Sequence, residues 1–167
     1  MLLFAAVAIG ACVASTGGAL RRFSPHFFVL GTAFLLLETR SLVTFGLLFG
    51  TTWIVNALVF FAILASVLAA VGLSARFRFR DGRPLYVALL SSLLIGYLIP
   101  PASLLFEPAG VRYAVAAVLT FSPVFFANLV FTRSFADTRT ADMAFASNLL
   151  GAMFGGIIEW SALVVGY

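Results

Sequence analysis

The chain has 167 residues, of which 63% are apolar and only 10% are charged, and its mean hydropathy is +1.14. A soluble domain carries about 25% charged residues, so this composition indicates an integral membrane protein and excludes a soluble enzyme. The net charge of +4 comes from ten arginines spread over several loops, which argues against a nucleic-acid-binding face. The single cysteine, Cys12, cannot form an intrachain disulfide.

Six apolar segments are long enough, or nearly so, to cross a bilayer, because a spanning helix needs about 20 residues. The first is interpreted as a span rather than a signal peptide, since its arginines follow the apolar run. The segments have short connections and no linker, so we expect an all-α, polytopic membrane helix bundle of about six transmembrane helices, forming a single transmembrane domain over residues 1–167. In chain order they are Met1–Leu20, His26–Leu48, Thr52–Ala75, Pro84–Ile99, Val111–Phe131 and Ala141–Val165.

Prolines shape two of these segments. The fourth is the shortest, and it lies between Pro84 and the pair Pro100 and Pro101. Pro123 lies inside the fifth segment, where it should kink the helix and free a backbone carbonyl. Inside a membrane, neighbouring helices must then satisfy that carbonyl.

The arginines are distributed unequally between the two sides of the predicted bundle. Eight lie in the turns after the first, third and fifth segments, and one, Arg112, lies on the opposite side. Because cytoplasmic loops carry the excess of positive charge, both termini are expected to be non-cytoplasmic. Trp53, Trp160 and Tyr167 then lie near the outer interface, as expected for an aromatic belt.

Three ionisable residues interrupt the apolar segments, at a depth where a charge costs at least ~2.5–3.5 kcal/mol. Glu38 and Arg40 lie in the second segment and Glu159 in the sixth. Residue counting puts Arg40 and Glu159 at depths that allow an ion pair, whereas Glu38 and Arg40 project from different helix faces. With Asn56 they form a candidate buried polar cluster that fixes helix register. The alternative is a proton or substrate path through these groups.

Amides and glycines in the last two segments predict helix packing. Asn128 and Asn148 are expected to bond across the fifth and sixth helices. Gly151, Gly155 and Gly156 form a small-residue face that lets two helices approach closely.

No motif of a catalytic or nucleotide-binding site occurs in the sequence. It lacks a GxGxxG, a P-loop, paired cysteines and an HExxH. We therefore predict no catalytic residue and no metal site, and no cofactor is identified. His26, the only histidine, is interpreted as an interfacial residue rather than a ligand for a pigment or haem.

Several stretches resemble a known family. They are residues 26–41 (HFFVLGTAFLLLETRS), residues 47–56 (LLFGTTWIVN), residues 125–128 and residues 147–159. They are similar to the C-terminal membrane module of bacterial spermidine synthase-like membrane proteins, and the resemblance covers most of residues 26–166. In full-length members, a soluble aminopropyltransferase-like or methyltransferase-like domain precedes the module and carries the catalytic residues.

That catalytic domain has no counterpart in this sequence. The resemblance therefore implies a membrane anchor or scaffold that is not an enzyme, in the bacterial inner (cytoplasmic) membrane. The family's glutamate and arginine positions correspond to Glu38, Arg40 and Glu159.

The sequence as a whole favours a non-catalytic accessory or structural subunit of a larger membrane complex of respiratory or photosynthetic type. Small-residue faces, abundant phenylalanine and few titratable groups support that hypothesis. The expected partners are the lipid bilayer and other membrane subunits or pigments, with no nucleic acid. The alternative is a small transporter of a polyamine or another organic cation, which the buried acidic groups suggest.

Overall fold

A computed structural model of the chain describes residue 10 and residues 23–77, 81–105 and 107–165. Within those ranges the secondary structure is entirely helical, without a β-strand, which confirms the all-α class. The elements are α1 (Pro25–Phe49), α2 (Trp53–Arg76), α3 (Arg83–Leu98), a short 3-10 helix (Pro101–Leu104), α4 (Ala109–Ala136) and α5 (Ala141–Val165).

Four of these helices, α1, α2, α4 and α5, are long and apolar enough to cross a membrane. The described residues therefore form part of a multi-pass membrane protein, but they contain four candidate spans and not the six that were expected. The predicted span Met1–Leu20 lies outside the described residues. The predicted span Pro84–Ile99 corresponds to α3, which has 16 residues. A helix of that number of residues is about 24 Å long, whereas the hydrocarbon core is roughly 30 Å thick.

A backbone feature at each end of the turn between α1 and α2 explains why α1 stops and α2 begins there. Gly50 follows α1 with a φ of +91°, a left-handed conformation that favours glycine, and its N–H donates to the Gly46 carbonyl at 2.9 Å. Thr52 caps α2, because its Oγ1 accepts a hydrogen bond from the Val55 N–H at 3.3 Å.

The chain divides into two compact units, which are described separately. The first unit comprises residues 1–36 and 137–167, and the second comprises residues 37–136. The single transmembrane domain over residues 1–167 stays a prediction.

In the first unit, the N-terminal part of α1 lies against α5 in a seam of close backbone contact. A β-carbon at Gly151 would collide with the backbone of Phe28, and one at Gly155 would lie 3.0 Å from the Thr32 carbonyl oxygen. The contacts advance by four residues along both helices, so α1 and α5 run in the same direction here. Glycine permits this approach because it has no side chain to separate the backbones.

Hydrogen bonds cross the same seam. The single hydrogen of the Thr32 hydroxyl is shared between two acceptors, the Phe28 carbonyl of its own helix at 3.1 Å and the Gly151 carbonyl of α5 at 2.9 Å. One turn before Phe28, the Ser24 N–H donates to the Ser147 hydroxyl at 3.1 Å. The seam therefore combines backbone proximity with polar contacts, as is typical of helix pairs in membranes.

In the second unit, α4 lies at the centre. Helices α2 and α3 and the 3-10 helix all pack against it. The core cluster consists of Phe45, Leu48, Val59, Ile63, Leu104, Ala116 and Val124.

An aromatic contact joins the end of α1 to the start of α4. The Phe49 and Tyr113 rings stack with centroids 3.9 Å apart, and the Arg112 guanidinium lies 5.7 Å from the Phe49 centroid. This cation–π and stacking contact fixes one end of the second unit.

We expect Gly151→Ala to destabilise the protein by about 1–3 kcal/mol, because the added methyl group overpacks the seam. Gly72→Ala on α2 is the matched control, since a β-carbon there meets nothing within 4 Å. Alanine is the better helix former, so this control should be neutral or slightly stabilising. Thermal unfolding in detergent, followed by circular dichroism, measures both variants. Equal effects of the two variants would contradict the described seam.

Candidate functional site: a polar pocket at the end of α3

The end of α3 leaves a carbonyl group without its helical donor. The Ile99 N–H donates to the Ile95 carbonyl at 3.1 Å and closes the last regular turn. The next carbonyl, that of Gly96, would need the N–H of residue 100, and that residue is Pro100, which has none. An unsatisfied carbonyl in hydrocarbon costs several kcal/mol, so it needs another donor.

Arg40 supplies that donor from the middle of α1. Its Nη2 donates to the Gly96 carbonyl oxygen at 2.7 Å, which is a short, charge-assisted hydrogen bond. The C-terminal end of a helix carries a partial negative charge, so the guanidinium is also attracted by the dipole of α3. An arginine inside an apolar span is thereby used to complete the end of a neighbouring helix.

A second proline brings another carbonyl to the same place. Pro123 lies inside α4 and has no N–H to donate to the carbonyl of Leu119. A β-carbon built on Gly96 would lie 3.8 Å from Arg40 Nη2 and 4.0 Å from the Leu119 carbonyl oxygen. Gly96 therefore lies beside both the Arg40 guanidinium and a second carbonyl that lacks its regular helical donor.

These groups enclose a cavity of about 40 Å³. Its α1 wall has the i, i+3, i+4, i+7 spacing of a single helix face. The Ser41 hydroxyl on this wall donates to the Leu37 carbonyl at 2.7 Å. The cavity is lined by Leu37, Arg40, Ser41 and Thr44 of α1, by Gly96, Ile99 and Leu104, and by Leu119, Thr120 and Pro123 of α4.

The lining offers donors and acceptors but no carboxylate, thiol or imidazole. Arg40 and the hydroxyls of Thr44 and Thr120 can donate, and the carbonyls of Gly96 and Leu119 can accept. A nucleophile with an adjacent base does not occur among these lining residues, so the arrangement is suited to binding and to helix positioning rather than to covalent chemistry.

Of the predicted cluster residues in the second unit, only Arg40 lines the pocket, and part of its side chain stays exposed at the protein surface. Glu38 is half-buried on α1 but projects from another face, in keeping with the two-residue spacing to Arg40. Asn56 is exposed in the first turn of α2. Glu159 is half-buried on α5 in the first unit, and its ion pair with Arg40 stays a prediction.

The two interior amides make different contacts. Asn128 is buried, and its Nδ2 donates to the Val124 carbonyl of its own helix at 3.0 Å. The Asn148 backbone lies so close to Gly31 that a β-carbon on the glycine would collide with the Asn148 carbonyl oxygen. The Asn148 Oδ1 is buried and has no hydrogen-bond partner among the described residues. A bond between the two amides stays a prediction.

The remaining predicted residues lie in the first unit. A β-carbon at Gly156 would be 3.3 Å from Leu35 Cδ2, so this glycine extends the seam of Gly151 and Gly155. His26 is exposed at the start of α1, and its ring lies 5.3 Å from that of Phe27. In the described part of the chain, no three His, Cys, Asp or Glu side chains group closely enough to hold a metal ion.

Sequence analysis missed the carbonyl partner of Arg40. The signal was present, because Pro100 follows Gly96 by four residues and Pro123 follows Leu119 by four. The kink at Pro123 was anticipated, but the same rule was not applied to the proline pair at the end of α3.

No protein-family model, curated protein or solved structure matches the chain. The resemblance to spermidine synthase-like membrane proteins therefore stays a prediction, and the function has to be inferred from the residues themselves.

We expect Arg40→Met to cost about 1.5–3 kcal/mol, because it strands the Gly96 carbonyl without its charged donor. The same change should cost less in a Pro100→Ala background. Ile99, which is extended before the proline, can then become helical, so that the N–H of the introduced alanine donates to that carbonyl. Unfolding in detergent of the four proteins of this double-mutant cycle measures the coupling.

Arg112→Met is the matched control for the cycle, because Arg112 contacts Phe49 rather than the end of α3. Its cost should be the same with and without Pro100→Ala. If Arg40→Met costs as much in the Pro100→Ala protein as in the wild type, the role assigned to Arg40 is wrong.

Proposed function

We propose that the chain is a non-catalytic accessory or structural subunit of a larger membrane complex. The observation that carries this proposal is the hydrogen bond from Arg40 to the Gly96 carbonyl, at 2.7 Å. A charge inside an apolar span usually marks a functional path. Here the charge caps a helix, and the residues that line its pocket include no second ionisable group. A charge that holds two helices together, rather than one that lines a path for ions or substrate, is what we expect in a structural subunit.

The surface of α2 supports the same proposal. Only Val59, Ile63 and Ala70 are buried along this helix of 24 residues. Large apolar side chains cover its other faces, including Phe61 at 70% and Leu64 at 67% exposure. In a membrane this surface contacts lipid tails or the helices of another subunit.

The pocket gives less support to the alternative function, which is transport of a polyamine or another organic cation. A cavity of about 40 Å³ holds a few water molecules and not a polyamine chain. The positive charge of Arg40 would also repel a polycation. Of the buried acidic groups that suggested transport, Glu38 projects from a different face of α1 and does not line this pocket.

The proposal places the chain in the bacterial inner membrane with both termini non-cytoplasmic, because eight of ten arginines lie in the turns of one side. Thr51 and Asp81 are exposed in successive turns. In a Cys12→Ser background, an impermeant thiol reagent added to intact spheroplasts should label Thr51→Cys and spare Asp81→Cys. The reverse pattern would invert the orientation.

A photo-crosslinking amino acid at position 64, in cells that express the chain at its native level, tests the subunit proposal. We expect a discrete protein adduct from this exposed position, and native mass spectrometry of the purified complex should show the same partner in fixed stoichiometry. Position 63 is the matched control, because Ile63 is 4% exposed and faces the core, so it should give no intermolecular adduct.

The subunit proposal fails if position 64 gives only lipid adducts and the purified chain has no stoichiometric partner. Purified chain in proteoliposomes tests the alternative. Uptake of labelled spermidine that is lost in Glu38→Gln would favour the transporter over the subunit.

A further inference from the structure

We propose that the pocket between α1, α3 and α4 is a binding site for water, with one or a few molecules linking the Arg40 guanidinium to the Leu119 carbonyl. The site lies at membrane depth, because Arg40 is about 13 Å along α1 from its end at Phe49 and about 22 Å from its beginning at Pro25. It does not depend on the subunit function proposed above.

The first reason is the hydrogen-bonding requirement of Leu119. Pro123 removes the N–H that would normally reach its carbonyl, and a carbonyl at this depth needs a donor. Arg40 already donates to Gly96 through Nη2, but a guanidinium has five N–H donors. A molecule that accepts from Arg40 and donates to Leu119 would satisfy both groups.

The second reason is the space that is available. A water molecule needs about 10–15 Å³ of accessible cavity and two to four polar partners. The cavity measures about 40 Å³, and Thr44 and Thr120 line it together with Arg40, Gly96 and Leu119. Both requirements are met on the walls of a single cavity.

The third reason is the mixture of charges and dipoles on the walls. A cation would be repelled by Arg40, and an anion would face the oxygen atoms of the Gly96 and Leu119 carbonyls. Water can donate to the carbonyls and accept from the guanidinium and the hydroxyls. The chemistry of the lining therefore selects a neutral ligand that has both donors and acceptors.

A hydrated pocket has a consequence for α4. Water, local helix adjustments and neighbouring side chains are the means by which a membrane helix tolerates a proline. Bound water at Leu119 would satisfy the carbonyl that Pro123 leaves without a donor, and it would also hydrate Arg40. That carbonyl and the cap of α3 would then share one set of hydrogen bonds.

Water-edited solid-state NMR of the full chain in lipid bilayers tests the proposal, with ¹³C-labelled threonine as the probe. Polarisation from water should reach Thr44 and Thr120 several-fold faster than Thr32. Thr32 is a matched control, because it also lies inside a span but the hydrogen of its hydroxyl is already shared between two carbonyls in the seam. Thr44→Val and Thr120→Val identify the two signals.

Pro123→Ala provides the second measurement, since the N–H of the introduced alanine can donate to the Leu119 carbonyl and remove one partner of the water. Transfer to Thr120 should then fall towards the rate at Thr32. If polarisation in the wild type reaches Thr44 and Thr120 as slowly as it reaches Thr32, the proposal is overturned. This comparison uses only the wild-type protein, so it does not depend on whether a variant folds. Fast transfer that is unchanged in a folded Pro123→Ala protein would overturn the assignment to Leu119.

Discussion

A backbone carbonyl in the interior of a membrane must receive a hydrogen bond, and one pocket in the second unit of this protein brings together two carbonyls whose regular helical donors are replaced by prolines. Pro100 and Pro123 remove the donors for Gly96 and Leu119. Because these carbonyls lie on α3 and α4 at the same pocket, one guanidinium from α1 reaches the end of α3 beside Leu119. Pro100 ends α3 and so creates this requirement, and the position of Arg40 and the polar lining of the pocket are consistent with it.

The two units hold their helices together by different physical means. In the first unit, glycines at positions 31, 151 and 155 remove side-chain bulk, so that backbones touch and a single threonine bridges them. In the second unit, apolar side chains pack around α4, and the charged contact of Arg40 secures the end of α3, a helix of only 16 residues. Close packing gives strength where lipid supplies no hydrophobic driving force between helices, and the charged cap satisfies a group that packing cannot.

Much of the helical pattern could be predicted from the sequence, because apolar length is a strong signal in membranes. Residues 141–165 form the helix that was expected, and the expected spans around α1, α2 and α4 differ from the observed helices by a few terminal residues. Arg40 and the small-residue face were also identified. The partner of Arg40 was not, because hydropathy gives no information about which backbone groups lack donors, and the partners expected for Arg40 were carboxylate side chains.

The hydrogen bond between Arg40 and Gly96 is the central claim, and its distance can be measured directly. Rotational-echo double-resonance NMR on the chain in lipid bilayers would use ¹⁵N-guanidinium arginine and ¹³C-carbonyl glycine, with Arg40→Lys as the control that removes the signal. A Nη2···O distance of 2.7 Å predicts strong dephasing of one glycine carbonyl, which is lost in Arg40→Lys. Identical dephasing in the wild type and Arg40→Lys would contradict the account.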